Sequence, residues 1–240
     1  AASSVANTGA AIAGNPDINP QQAWVIEAAY ERRFWRNGLA SVTLRHSQIT
    51  DVVDRIPLLA GNSVIDAPGN IGDGTRDEAI VSLSVPLSRL GLSAAQIRGA
   101  ITWRRSSVTD PVTGQDRPIS LLHPLDWEIH YTHDLPRWQM NYGVDVNGVF
   151  NGNLNGYRET SYRVTEIDTR TQHTFVVLFG EYKPRPNIII RWELQNLLGR
   201  DYILERQVYA GPRNSSPLSY IDTRHLRPGP SLLIRLRRTF

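Results

Sequence analysis

The chain has 240 residues, of which 40% are hydrophobic and 20% are charged, so it is long enough for one large domain or two small ones. Its 26 basic and 23 acidic residues give a net charge of +3, too small an excess to require a nucleic-acid partner. No run of about 18 to 20 apolar residues occurs. This excludes a transmembrane helix but not a transmembrane β-barrel, whose strands face lipid with only every second side chain.

Alternation of apolar and polar residues with a period of two predicts about nine β-strands and no convincing helix. In the clearest hairpin, strands at Leu125–Thr132 and Trp138–Asn147 flank a short turn, and each strand has one apolar and one polar row. The predicted strands, in chain order, are Trp24–Trp35, Leu39–Val53, Glu78–Leu87, Ile97–Trp103, Leu125–Thr132, Trp138–Asn147, Tyr162–Tyr182, Asn187–Val208 and Ser231–Phe240.

The predicted connections alternate between short turns and long loops. The short turns are Arg36–Gly38, Leu90–Ala94, His133–Arg137 and Lys183–Pro186. The long loops, rich in Gly, Pro, Asn, Asp and Ser, are Pro57–Asp77, Ser106–Ser120, Val149–Ser161 and Gly211–Gly229. This layout is typical of outer-membrane barrels, and most Trp residues lie near strand ends, as in the aromatic girdles of such barrels. A soluble sandwich would place its aromatic side chains in mid-strand.

The odd number of predicted strands has a consequence for a barrel. If the C-terminus is periplasmic, nine strands place the N-terminal segment outside the cell, whereas a complete barrel has an even number of strands. Nine strands alone would also leave two unpaired edges in hydrocarbon, at a cost of several kcal/mol per backbone group. We therefore expect the remaining strands to come from upstream sequence or from another chain.

Four segments of the chain resemble, in order, segments of the TonB-dependent outer-membrane transporters. They are GNPDINPQQAW at Gly14–Trp24, ITDVVDRIP at Ile49–Pro57, LQNLLGRDY at Leu194–Tyr202 and GPSLLIRLRRTF at Gly229–Phe240. Leu198 and Gly199 depart from the Phe and Asp that are usual there. The resemblance covers essentially the whole chain.

This resemblance implies an all-β, transmembrane antiparallel barrel of about 22 strands, of which the chain supplies the last nine or so. It also implies active uptake of a scarce nutrient, such as a siderophore, cobalamin or a carbohydrate, across the bacterial outer membrane. The expected partners are the N-terminal strands and plug, the TonB complex acting on the plug, the barrel-assembly machinery and lipopolysaccharide. The plug and the TonB box are absent from the chain.

Three groups of site residues follow from this interpretation. The C-terminal aromatic with its alternating apolar neighbours is expected to form the signal read by the barrel-assembly machinery: Phe240, Leu236, Ile234 and Leu232. The last long loop holds polar candidates for contact with substrate: Arg213, Tyr220, Asp222, Arg224 and His225. Lumen-facing charges are candidates for contact with the plug: Glu27, Glu31, Glu128, Asp145, Arg191 and Glu193.

No catalytic or metal-binding constellation is recognisable, so we expect no enzyme activity and no cofactor. The six His residues lack metal-ligand spacing, the chain has no Cys, and no Gly-x-Ser-x-Gly elbow occurs. Two alternatives stay open. A passive porin or a small self-contained outer-membrane barrel predicts an even strand count and a lumen lined by a continuous charge ladder. A soluble carbohydrate-binding β-sandwich predicts aromatic side chains in a dry interior.

Overall fold

The computed structural model describes residues 4–5, 11–12, 14–60, 63–149 and 157–239 and is built almost entirely of antiparallel strands, which confirms the all-β prediction. The strands are β1 (Ser4–Val5), β2 (Ala11–Ile12), β3 (Gln22–Phe34), β4 (Gly38–Thr50), β5 (Val53–Ala60), β6 (Ser63–Asn70), β7 (Gly74–Pro86), β8 (Ala95–Thr109), β9 (Asp116–Arg117), β10 (Leu125–Leu135), β11 (Met140–Val149), β12 (Tyr157–Tyr162), β13 (Glu166–Gln172), β14 (Phe175–Arg185), β15 (Ile188–Gln195), β16 (Tyr202–Tyr209), β17 (Leu218–Leu226) and β18 (Ser231–Arg238). Short 3-10 turns lie at Leu87–Leu90 and Pro136–Trp138, and no helix among the described residues is long and apolar enough to cross a membrane.

One large sheet dominates the molecule. Nine of its strands form a continuous path in the order β3-β4-β7-β8-β10-β11-β14-β15-β18, and β9 pairs with β8 beside this path. The pairing of β3 with β4 runs without a break from Gln22 opposite Thr50 to Phe34 opposite Gly38. Each of the nine predicted segments overlaps one strand of the path, because period-two alternation marks a strand with two unlike faces.

Short turns join neighbouring strands of this sheet at one end of the strands. They connect β3 to β4, β7 to β8, β10 to β11, and β14 to β15. Three of these turns and the end of β18 are hydrogen-bonded in a row: Asp134 N to Ala94 O (3.1 Å), Lys183 N to Gln139 O (2.9 Å) and Thr239 N to Asn187 O (3.0 Å). Residues 32–38, 86–95, 134–140, 183–188 and 237–239 are called the short-turn rim below.

Hairpins extend beyond the opposite end of the strands, called the hairpin end, where the sequence predicted long loops. The β5–β6 hairpin pairs through β6 with β2, which in turn pairs with β1, and β12, β13, β16 and β17 form a separate four-stranded sheet. Two predicted single strands are therefore wrong. The segment 162–182 contains the end of β12, all of β13 and most of β14, and the segment 187–208 breaks between β15 and β16.

The break between β15 and β16 is made by Asn196, which has a left-handed backbone (φ 51°) and is buried. Its side-chain amide donates to Arg200 O at 3.0 Å and to Pro228 O at 2.5 Å, which fixes the chain in a turn. An apolar core of Ile49, Val52 and Val108, with Ile71 and Ile119 packed against it, also lies at this hairpin end.

Candidate functional site

One face of the large sheet, called the apolar face, carries apolar side chains on all nine strands of the path. Residues directly opposite one another in the register share a face, as do alternate residues of a strand. Members of this face, from β3 to β18, are Ile26, Tyr30, Val42, Leu44, Val81, Leu83, Ile97, Ile101, Trp103, Trp127, Ile129, Tyr131, Val144, Val146, Val176, Leu178, Ile190, Trp192, Leu194, Leu232, Ile234 and Leu236.

This apolar face is open. Ile26 is 62% exposed, Ile101 51% and Ile234 65%. The predicted assembly-signal residues Leu232, Ile234 and Leu236 all lie on it, whereas Phe240 lies outside the described residues. Apolar patches of this extent are rare on monomeric soluble proteins.

The other face, called the polar face, carries a ladder of alternating charges across β3, β4, β7, β8 and β10. Arg45 bonds to Glu27 (2.6 Å) and to Glu78 (3.2 Å). Arg104 continues the ladder from Glu78 (3.0 Å) to Asp126, with which it forms a short contact. Glu78 at the centre is only 7% exposed, so three Arg residues around it, including Arg76, offset the cost of burying its charge.

The six predicted plug-contact residues all lie on the polar face. Glu27 belongs to the ladder, and Glu31 pairs loosely with Arg33 at 3.7 Å. Glu128 and Asp145 flank His130 at 3.4 and 2.9 Å. Arg191 bonds to Glu193 at 2.6 Å and stacks over the ring of Phe179 at 4.8 Å. Each of these charges thus has a partner within the sheet itself, which the alternation of the sequence did not indicate.

The predicted substrate-loop residues are only partly brought together. Tyr220, Asp222 and Arg224 lie on one face of β17, where Arg224 pairs with Asp222 at 2.8 Å. His225 follows on the opposite face of that strand. Arg213 is separate from all of them, since its side chain is only 7% exposed and lies in a cluster with Asp110.

This buried cluster joins four hairpins and is called the hairpin clamp. Asp110 accepts from Arg117 Nε and from Arg213 Nη2, both at 2.7 Å, and Arg117 also reaches Asp54 at 3.0 Å. The ring of Tyr162 lies 4.5 Å from the Arg117 guanidinium and 5.8 Å from that of Arg213. Its residues therefore come from β5, β9, β12 and two connecting segments.

The electrostatics of the clamp are set by Asp110. Burial by itself would raise the pKa of this carboxyl, but hydrogen bonds from Arg213, from the backbone N–H of Thr113 and from Arg117 outweigh it and lower the pKa to about 2. Asp110 is therefore an anion at neutral pH and lies between two cations. The sequence pattern placed Asp110 and Arg117 in a long loop and did not predict the clamp.

A second polar feature lies where the polar face meets the β12–β13 hairpin. His123 Nδ1 is 2.9 Å from Asp126, and its Nε2 is 3.3 Å from Glu159 on β12. Hydrogen bonding to Asp126 raises the pKa of His123, because the bond favours the charged imidazolium. An open cavity of about 390 Å³ next to it is lined by Thr102, Asp126, Glu128, Asn147, Gln172 and His173, among others.

These side chains provide paired charges and hydrogen-bonding groups that suit a polar ligand. Among the residues that the structure describes, no three His, Asp or Glu side chains are grouped so that they could hold a metal ion. No family model matches this sequence, and neither a curated protein nor a solved structure gives a match.

Proposed function

We propose that the chain forms the C-terminal wall and the extracellular loops of a TonB-dependent transporter in the bacterial outer membrane. The observation that carries this proposal is the apolar face, which runs over nine consecutive strands and bears exposed large side chains on seven of them, while the polar face behind it carries a series of ion pairs. Acyl chains would solvate the apolar face, and water or a plug would contact the polar one. A soluble sandwich would instead cover its apolar rows with a second sheet.

Strand lengths are consistent with this arrangement. A tilted transmembrane strand needs about 9 to 11 residues, and the strands of the path have 8 to 15. Exposed aromatic side chains lie in the short-turn rim, among them Trp35 and Trp138. Such residues prefer the boundary between lipid and water.

The outer edges of β3 and β18 argue for further strands. Neither edge has a partner among the described residues, and each would leave a row of backbone groups unsatisfied in hydrocarbon. Additional strands would close the sheet into a barrel of about 22 strands around a plug. In that barrel the short turns face the periplasm, and β12, β13, β16 and β17 extend outside the cell towards the substrate.

The proposal is tested in the native membrane on the chain assembled with the N-terminal strands and plug that the proposal requires. We expect it in the outer-membrane fraction, with a gel mobility that shifts on heating, and we expect it to bind the purified periplasmic domain of TonB. Recovery in a soluble fraction without detergent would contradict the membrane assignment. Outer-membrane recovery without any binding to TonB would instead favour a passive porin.

A further inference from the structure

The short-turn rim concentrates positive charge. Nine of the chain's 26 basic residues lie in it but only one of its 23 acidic residues, Asp134, so the rest of the chain carries more acidic than basic residues. These basic side chains, all exposed, are Arg32, Arg33, Arg36, Arg89, Arg137, Lys183, Arg185, Arg237 and Arg238. Glu31 and Glu181 lie just outside the rim and pair with Arg33 and Lys183 at 3.7 and 3.0 Å, which still leaves a net positive rim.

The rim is one continuous surface rather than a set of isolated turns. Backbone hydrogen bonds connect its second, third and fourth turns and the end of β18. The Arg89 guanidinium lies 5.4 Å from the centre of the Trp35 ring and so joins the first turn to the second. Exposed aromatic side chains accompany the cations, namely Trp35 and Trp138 in the rim and Tyr182 directly beside it.

We propose that this rim binds the anionic headgroups of phospholipids in the membrane leaflet on its side. The inference rests on the proposed function, since it needs the apolar face to be immersed in a bilayer. Aromatic rings would then lie at headgroup level, while the longer Arg and Lys side chains reach past them to the phosphates. Guanidinium groups bind phosphate through two parallel hydrogen bonds, and basic residues near a bilayer attract anionic lipid.

The described residues at the hairpin end of the sheet do not present a comparable excess of unpaired cations. Its cations are largely committed to internal ion pairs, as Arg117 and Arg213 are to Asp110 and Arg206 is to Asp168 at 2.9 Å. The remaining exposed cations there alternate with carboxylates on the same strands, such as Arg224 with Asp222. Charge complementarity therefore places the anionic lipid at the short-turn rim.

The test uses the intact protein reconstituted into phosphatidylcholine bilayers that contain a trace of spin-labelled phosphatidylglycerol or spin-labelled phosphatidylcholine. The electron paramagnetic resonance spectrum gives the fraction of each lipid held at the protein surface. We expect about a fivefold preference for phosphatidylglycerol. The preference should fall towards one in a variant with Arg36→Gln, Arg137→Gln and Lys183→Gln, and it should weaken in high salt.

A matched control variant removes three exposed cations from the hairpin end by Arg170→Gln, Arg200→Gln and Arg227→Gln. This variant should keep the preference for phosphatidylglycerol. Two results would overturn this inference and leave the transporter proposal intact. One is equal binding of the two lipids, which is expected if the rim binds an acidic protein instead. The other is a preference for phosphatidylglycerol that persists in the rim variant. Failure of the protein to enter bilayers at all would overturn the transporter proposal together with this inference.

Discussion

Arg213 and Asp110, which are 103 residues apart in the sequence, form an ion pair of 2.7 Å in which both side chains are almost completely buried. The pair fastens the segment after β16 to the segment after β8. Arg213 Nε also donates to the backbone carbonyl of Arg163 at 2.5 Å. The hairpins above the sheet are therefore held together by this buried polar cluster in addition to the apolar core around Val52.

Loss of Arg213 should loosen these hairpins. Arg213→Ala leaves Asp110 with one cation fewer in a buried site, at a cost of about 3 to 5 kcal/mol. Hydrogen exchange of the intact protein should show faster exchange at residues 110–117 and 162–166, with the large sheet unchanged. Arg224→Ala is the control, because its pair with Asp222 is exposed and contributes less than about 1 kcal/mol. Equal effects of the two substitutions would show that the clamp does not hold the hairpins.

The clamp should also weaken in acid. The pKa of Asp110 is about 2 in the folded protein and has an ordinary value of 3.8. Because the folded pKa is the lower one, the stabilisation is present above pH 4 and is lost as the pH falls through 2. Exchange protection at residues 110–117, corrected for intrinsic rates, should fall over this window. Asp110→Asn should reduce both the protection at neutral pH and its further loss in acid. If the Asp110→Asn variant lost exchange protection in acid as the unchanged protein does, the acid sensitivity would belong to another carboxyl group.

The charge ladder should be most sensitive at its buried centre. Glu78 and Glu27 both bind Arg45, but the side chain of Glu78 is 6% exposed and that of Glu27 is 43% exposed. Glu78→Gln should lower the free energy of unfolding by about 3 kcal/mol, since three cations lose a buried anion. Glu27→Gln should cost less than about 1 kcal/mol. Urea unfolding of the intact protein in detergent measures both, and the reverse order would be inconsistent with the ladder.

Adjacent residues of β10 should respond in opposite ways to the same new charge. Ile129→Arg places a guanidinium on the apolar face, where the proposed immersion in lipid would make its burial cost about 2 to 4 kcal/mol. His130→Arg places it on the polar face between Glu128 and Asp145, which pair with His130 now. We expect the first variant to assemble poorly into outer membranes and the second to assemble normally. Comparable assembly of both would contradict the orientation of the sheet.

The sequence predicted the large sheet better than the hairpins. In β10 and β11 every second residue is apolar because each strand has one apolar and one polar face, and this periodicity is local. In β14 the run Phe175–Phe179 is apolar on both faces, so its start was misplaced. The turn between β12 and β13, which also lay inside the predicted strand, depends on a distant contact, in which the backbone N–H of Val164 lies 3.3 Å from Asp66, 98 residues away.

The candidate site followed the same division. That Glu27, Glu128 and Asp145 share the polar face was evident from alternation, but their partners depend on the register between strands. For Arg213, a position in a polar loop suggested exposure, whereas its burial depends on Asp110 and Tyr162 from distant segments. The break at Asn196 did have a local signal, since Asn followed three residues later by Gly199 favours left-handed turns.

The central claim is that the apolar face meets acyl chains, and the absence of Cys allows single Cys residues to be introduced for spin labelling. Labels at Ile101 and Ile234 should collide with oxygen dissolved in the bilayer, and labels at the neighbouring Thr102 and Arg235 with a water-soluble nickel chelate. If neither reagent reached the labels at positions 101 and 234, the claim would be contradicted, because those side chains would then lie in a dry protein interior.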